Sequence, residues 1–314
     1  MNKRDRVLRL LDEAAPQEYV PAAFFMHFDP SCHRGQAAID KHLEYYRYTG
    51  MDLLKIQYEH AFPRRPEIQT PDDWAGMPLY GVDFYQDPLD VVGGLVKEAK
   101  GEALVLMTLY SPFMCAGHTT SGQMITEHIT QDPEAVVRGM EIITESVLIF
   151  VRECIKLGVD GFYASTQGGE SGRFADPALF QACIKPYDLA VMEEIDRSCV
   201  FNILHICDYS AGYDDLTPFL DYPGHVVNCS LTLGSTSITA KEAAEMFDRP
   251  FMGGMERKGV IAHGSADEVR RAAEELLSEA PERYILGADC TVPGDTDWDV
   301  LRTAISTAHA YRGR

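Results

Sequence analysis

The chain of 314 residues lacks any run close to the ~20 consecutive apolar residues that a membrane-spanning helix needs, so no membrane role is expected. Its opening, MNKRDRVLRLLDEAAPQEY, reads as an amphipathic helix carrying acids and lacks the apolar centre of a secretion signal, so the expected location is the cytoplasm. Positive charge is scarce. Lys and Arg number 28 against 48 Asp and Glu, a net charge of −20, which argues against nucleic-acid backbones and anionic membrane surfaces as partners. There is no Ser/Gly-rich linker, low-complexity tract or break in composition, and one domain over 1–314 is expected. Nucleotide signatures are missing too: FMGGMERKG lacks the spacing of a dinucleotide fingerprint, and GADCTVPGDT has no Lys-Ser/Thr pair for a phosphate loop. The eight cysteines are scattered without the arrangement of a disulfide framework, and are expected to be free or metal-bound.

What is present is alternation. Eight short apolar runs, at 20–28, 52–58, 103–110, 161–165, 200–207, 226–231, 251–255 and 284–289, alternate with amphipathic stretches from end to end. That order predicts an α/β fold, a single (β/α)8 TIM barrel with an N-terminal helix. Helical spacing is clearest over 265–280, with Ser265 as N-cap, and is similar over 177–198 and 133–157. The proline-rich stretch 60–87, with two short strand-like pieces, reads as an elaborated loop after strand two, placed to cap the barrel mouth.

In a barrel of this kind the chemistry lies at the C-terminal ends of the strands, where the loops converge on one cavity. In FNILHICDYS the two-residue spacing of His205 and Cys207 points both side chains to one face of a strand. Cys290, in YILGADCTVPG, ends the last strand. A His-x-Cys alone is more often a packed histidine beside an inert buried thiol; a second cysteine at an equivalent strand end makes a Cys2His set with an open fourth position. Zinc suits such a set, and three protein ligands with one vacancy is the catalytic arrangement. A thiol entering the vacancy would be held as thiolate, the form that displaces alkyl groups, so alkyl transfer to sulfur is expected.

Nearly the whole chain resembles the uroporphyrinogen decarboxylase superfamily, and within it the zinc-dependent methylcobamide:coenzyme M methyltransferases. The resemblance rests on the order of RDRVLRLLDEAAPQEYVPA, YYRYTGMDLLKI, KLGVDGFYASTQGG, FADPALFQACIKPYDLAVMEEI, FMGGMERKGVIAHGSADEVRRAAEELL and ILGADCTVP. It implies Zn2+ bound by His205, Cys207 and Cys290 and a methylcobamide carried by a separate, transiently docking corrinoid-binding protein. The acceptor would be a small thiol, and the chain a homodimer. The decarboxylases' arginine-rich segment is here FFMHFDPSCHRG, with only Arg34 nearby. Their aspartate at the end of strand two is matched by Glu59 and their last-strand histidine by Ala288. Decarboxylation without metal, working through Glu59, is therefore the second reading, and a catalytically silent binding barrel the third.

Among other strand-end residues, His27 is placed as an acid or base, Glu59 stands at the end of strand two, and Gln167 is placed to orient substrate; all three are expected to be catalytic. Glu170, Asn228 and Tyr110 are expected to bind substrate, with Asn228 against the incoming group and Cys229 pointing outward into the core. Gly168 and Gly169 serve either close approach to a ligand or a plain turn. Cys32, Cys115, Cys154, Cys183 and Cys199 read as packing, as do His118, His128 and His263.

Overall fold

The computed structural model describes residues 2–14 and 17–313. Seven parallel strands form one curled sheet: β1 (Leu53–Ile56), β2 (Leu104–Tyr110), β3 (Gly161–Thr166), β4 (Ile203–Ile206), β5 (Val226–Cys229), β8 (Phe251–Met255) and β9 (Tyr284–Ala288), paired in that order. Between β5 and β8, β6 (Thr232–Leu233) and β7 (Thr236–Ser237) make a small antiparallel hairpin that the sequence reading did not anticipate. The residues of β1, β3, β4, β5 and β9 are all buried, as expected of strands covered on one face by helices and packed on the other into the interior.

The segment 20–28, expected as the first strand, is extended chain that meets the β9 edge through isolated bridges at Ala22 and Met26 and the β1 edge through a hydrogen bond. Leu286 donates to the carbonyl of Pro21 (2.9 Å) and Ala23 donates to Leu286 (3.0 Å), while Asp52 of the opposite edge donates to Ala22 (3.0 Å). A continuous ladder fails for two reasons. Pro21 has no N–H, and the N–H of Ala22 is taken by the Asp52 carboxylate (2.8 Å), which also accepts from Tyr19 (2.6 Å) and lies 2.7 Å from His309.

The helices follow their punctuation. Pro133–Leu157 starts on an Asp132 cap and ends at Gly158, whose φ of 95° is the left-handed conformation glycine tolerates. Ala266–Glu279 is fixed by a reciprocal Ser265–Glu268 box. The stretch 177–198 is two helices, Ala178–Cys183 and Lys185–Ser198, broken at Ile184 because Pro186 cannot continue a helix and starts a new one. The opening helix is shorter than expected, Lys3–Leu8 followed by a 3-10 turn; Asp12 is already extended and neither 13–14 nor 17–19 is helical, while Ala15 and Pro16 lie outside the described residues. No helix among the described residues is long and apolar enough to cross a membrane.

The stretch 60–87 contains 3-10 turns at Pro71–Gly76 and Val82–Tyr85 and no strand. It packs on the long helix, and none of its residues lines the main cavity. Trp74 is fully buried, donates to His128 Nδ1 (2.9 Å), and lies so close to Gly139 that a Cβ there would come within 2.7 Å of its own.

Candidate metal centre

His205 lies in β4, and Cys207 follows one residue beyond it, its backbone N–H still paired to Thr166 (3.0 Å). Strand periodicity therefore carries both side chains inward. Cys290 sits two residues past β9. One ligand atom from each of these three buried residues lies within 4.8 Å of the other two, the one such grouping of metal-capable side chains found among the described residues.

Each partner is held from behind. The His205 ring stacks on Tyr163 (centroids 4.7 Å apart), whose hydroxyl donates to Asn228 Oδ1 (2.5 Å). Asn228 donates in turn to the carbonyls of Met252 (2.8 Å) and Ala288 (3.0 Å). Both ends of its amide are therefore committed, and Asn228 does not line the cavity; the substrate contact expected of it is replaced by support of the Tyr163–His205 stack. Cys207 Sγ accepts from Gln167 Nε2 (3.4 Å), and its carbonyl accepts from Tyr213 (3.1 Å). The Cys290 thiol is driven far down, first by a hydrogen bond from Cys207 and then, against burial, by the nearby His205 and Arg257 side chains. The Cys207 thiol is driven up by holding the shared proton and by burial.

A cavity of about 380 Å³ opens against this cluster. Among its walls are His27, Tyr110 and Gln167, all expected, together with Lys55, Gln57 and Arg173, which the sequence reading passed over. Lys55 is buried in β1 with its Nζ 2.6 Å from Gln57 Oε1 and over the rings of Phe25 (4.8 Å) and Tyr163 (5.0 Å). Burial lowers its pKa to about 8, opposed by the negative charges of Cys290, Glu59 and Cys207. A charge at an inward position of an otherwise apolar strand was the available signal.

Two expected residues stand behind the wall. Glu59 accepts from His27 Nδ1 (2.8 Å) and faces a smaller cavity shared with His33, His60 and Asp87, so it acts on His27 and does not reach the main cavity. Glu170 is buried, accepts from Gly168 N–H (2.7 Å) and grips Arg173 through both oxygens, so Arg173 is the residue presented to a ligand. Neither carboxylate lines the space where a substrate would sit.

The donor set fits zinc. Two soft sulfurs and an imidazole are ligands it accepts, and His205 Nδ1 is buried with no hydrogen-bond partner, a cost that structures rarely carry unless something else satisfies the nitrogen.

No curated protein matches the chain. Among solved structures, it is similar along 98% of both chains to a methyltransferase from Methanosarcina mazei (13% identity, TM-score 0.76). It is similar over 93% of its length, and 97% of the other chain, to a B12-independent methionine synthase from a Shewanella species in complex with selenomethionine (11% identity, TM-score 0.58). A putative vitamin-B12 independent methionine synthase from Listeria monocytogenes aligns over 95% of this chain and 98% of its own (12% identity, TM-score 0.52). At such identities the likeness is one of fold. Residues 50–311 match the family described as uroporphyrinogen decarboxylase (URO-D), and the chain belongs to that family.

Proposed function

We propose that this chain is a zinc-dependent methyltransferase that moves a methyl group from a methylated corrinoid, carried by a separate protein docking transiently, to a small thiol. The observation that carries the reading is the buried His205–Cys207–Cys290 grouping opening on a cavity of about 380 Å³. The name of the methyltransferase relative agrees with methyl transfer as the class of reaction; the methionine synthases are described as B12-independent and add nothing for the corrinoid donor. Bound there, zinc would supply the charge that keeps an incoming thiol deprotonated at neutral pH.

The rest falls to side chains. His27, oriented by Glu59 through Nδ1, takes the thiol proton at Nε2 as Gln57, 3.2 Å away, turns aside, and passes it to solvent from its half-exposed position. Gln167 and Tyr110 confine the sulfur, and Lys55 and Arg173 offer donors to polar groups of the acceptor. The acceptor's sulfur lone pair forms the new S–CH3 bond as the cobalt–carbon bond breaks, its electron pair staying on cobalt. In this reading 1–314 is one cytoplasmic domain, a homodimer, and the extended segment 20–28 takes the eighth place in a closed barrel.

Incubation with methylcobalamin and a panel of small thiols, followed by the absorbance change of demethylation, tests the reading. Zinc-dependent thioether formation is expected. Absence of transfer to every thiol, with decarboxylation of a porphyrinogen that survives chelation, would replace it by the decarboxylase-like alternative.

A further inference from the structure

One side chain joins the loops that carry both cysteines. Arg257 follows β8 by two residues and is 9% exposed. Its Nη1 lies 2.5 Å from Asp208 Oδ1 and 3.4 Å from Asp289 Oδ2, and its backbone N–H donates to Asp289 Oδ1 (2.8 Å). Asp208 is the residue after Cys207, and Asp289 the residue before Cys290. Asp289 is tied back to the same strand through its own N–H, which donates to Met255 (3.0 Å). The guanidinium thus ties three strand ends together at the level of the two sulfurs.

A largely buried ion pair of this kind is a poor device for stability, because desolvation offsets much of the attraction. One guanidinium nitrogen held between carboxylates of two different loops, with the backbone N–H of the same residue on the second, does however fix the spacing of those loops. The far side of these loops is a cleft lined by Ser171, Ser230 and Thr232 as well as Arg257, so on that face the loops meet through polar side chains.

We infer that Arg257 is a positioning residue that sets the separation and orientation of the Cys207 and Cys290 thiols through Asp208 and Asp289. It acts on the sulfurs at one remove. The geometric argument is independent of the metal, but the metal readouts below rest on the zinc reading.

The test uses the full chain as wild type, Arg257→Met, Arg257→Lys and Asp208→Asn. Zinc affinity is measured by competition with a chromophoric chelator, and ligand geometry by the visible spectrum of the Co2+-substituted protein. Arg257→Met is expected to bind zinc about 10–100-fold more weakly, as losses behind a metal ligand do, and to weaken the cobalt bands of tetrahedral thiolate coordination. Arg257→Lys should recover part of both. Asp208→Asn removes one arm only and should lose affinity by a smaller factor, which keeps the test open if Arg257→Met does not fold. Unchanged affinity and cobalt spectra in all variants would overturn the inference. Should wild type bind neither ion, the zinc reading fails, and the clamp is judged by iodoacetamide labelling. Cys207 and Cys290 should then label about tenfold faster in Arg257→Met while Cys229 stays protected, since loosened loops expose thiols that burial otherwise keeps inert; equal rates would dismiss it.

Discussion

The two walls of the cavity are built differently. On the β4 and β9 side, two thiols and an imidazole crowd within 4.8 Å, and one imidazole nitrogen is buried without a partner. On the β1 side, the polar groups are mutually engaged: Lys55 with Gln57 (2.6 Å), Gln57 with His27 (3.2 Å) and His27 with Glu59 (2.8 Å). A wall with unmet coordination calls for something from outside the chain, whereas a wall with a connected network can hold a side chain ready to accept a proton. The contrast is why metal is assigned to the first and proton handling to the second.

The comparison can be broken most severely on the thiol wall. Cys207→Ser and Cys290→Ser should each lower methyl transfer on the order of 10³-fold, because a Lewis acid contributes several kcal/mol to such steps and each 1.36 kcal/mol is tenfold in rate. A loss of less than about tenfold in steady-state assays would move the chemistry elsewhere. On the opposite wall, His27→Ala should slow transfer about 10²-fold, the usual worth of a positioned base. Zinc content should stay at the wild-type level, so a fall in metal alongside activity would show that the two walls are not separate.

A residue on neither wall sharpens the contrast further. Asp188 is fully buried against Thr166 (2.5 Å) and Tyr222 (3.2 Å), and burial pushes its carboxyl up to about 7. The folded protein then holds this proton more tightly than the unfolded chain does, so the contribution is present below about pH 4 and is lost as pH rises through 7. Asp188→Asn, which cannot ionise, should gain on wild type by on the order of 4 kcal/mol between pH 4 and pH 8 in denaturant titrations, without losing zinc. A constant difference across that range would refute the buried-acid account. The smallest effect is expected at Lys55. Gln57 takes one of its three N–H donors, and Lys55→Met should cost about tenfold in kcat/KM at unchanged metal content, the worth of one such interaction.

The two walls were also unequally legible. His205 and Cys207 could be placed on one face from a spacing of two, and Cys290 from its position after the last apolar run, because strand periodicity is a local property of the chain. The long helices were readable for the same reason: Asp132, Gly158, Ser265 and Glu268 act within a turn of their own backbone. The remaining polar groups depend on partners far apart in sequence. That Asn228 is committed to Tyr163, 65 residues away, and Glu59 to His27, 32 away, decides which strand-end polar groups face the cavity, and no local pattern carries that information. The segment 20–28 failed as a strand through a similar long-range competition, the Asp52 side chain taking an N–H that a ladder needs. The placement of 60–87 likewise turns on Trp74 meeting Gly139 and His128.

The central claim is that one ion is held by side chains from two distant stretches of chain, and it is tested most directly by elemental analysis of protein purified without chelator. Wild type should carry about one zinc per chain, and Cys207→Ser and Cys290→Ser should each retain well under half of it, since removal of a ligand weakens a three-residue site sharply. Full zinc in both variants, or none in wild type, would contradict the account.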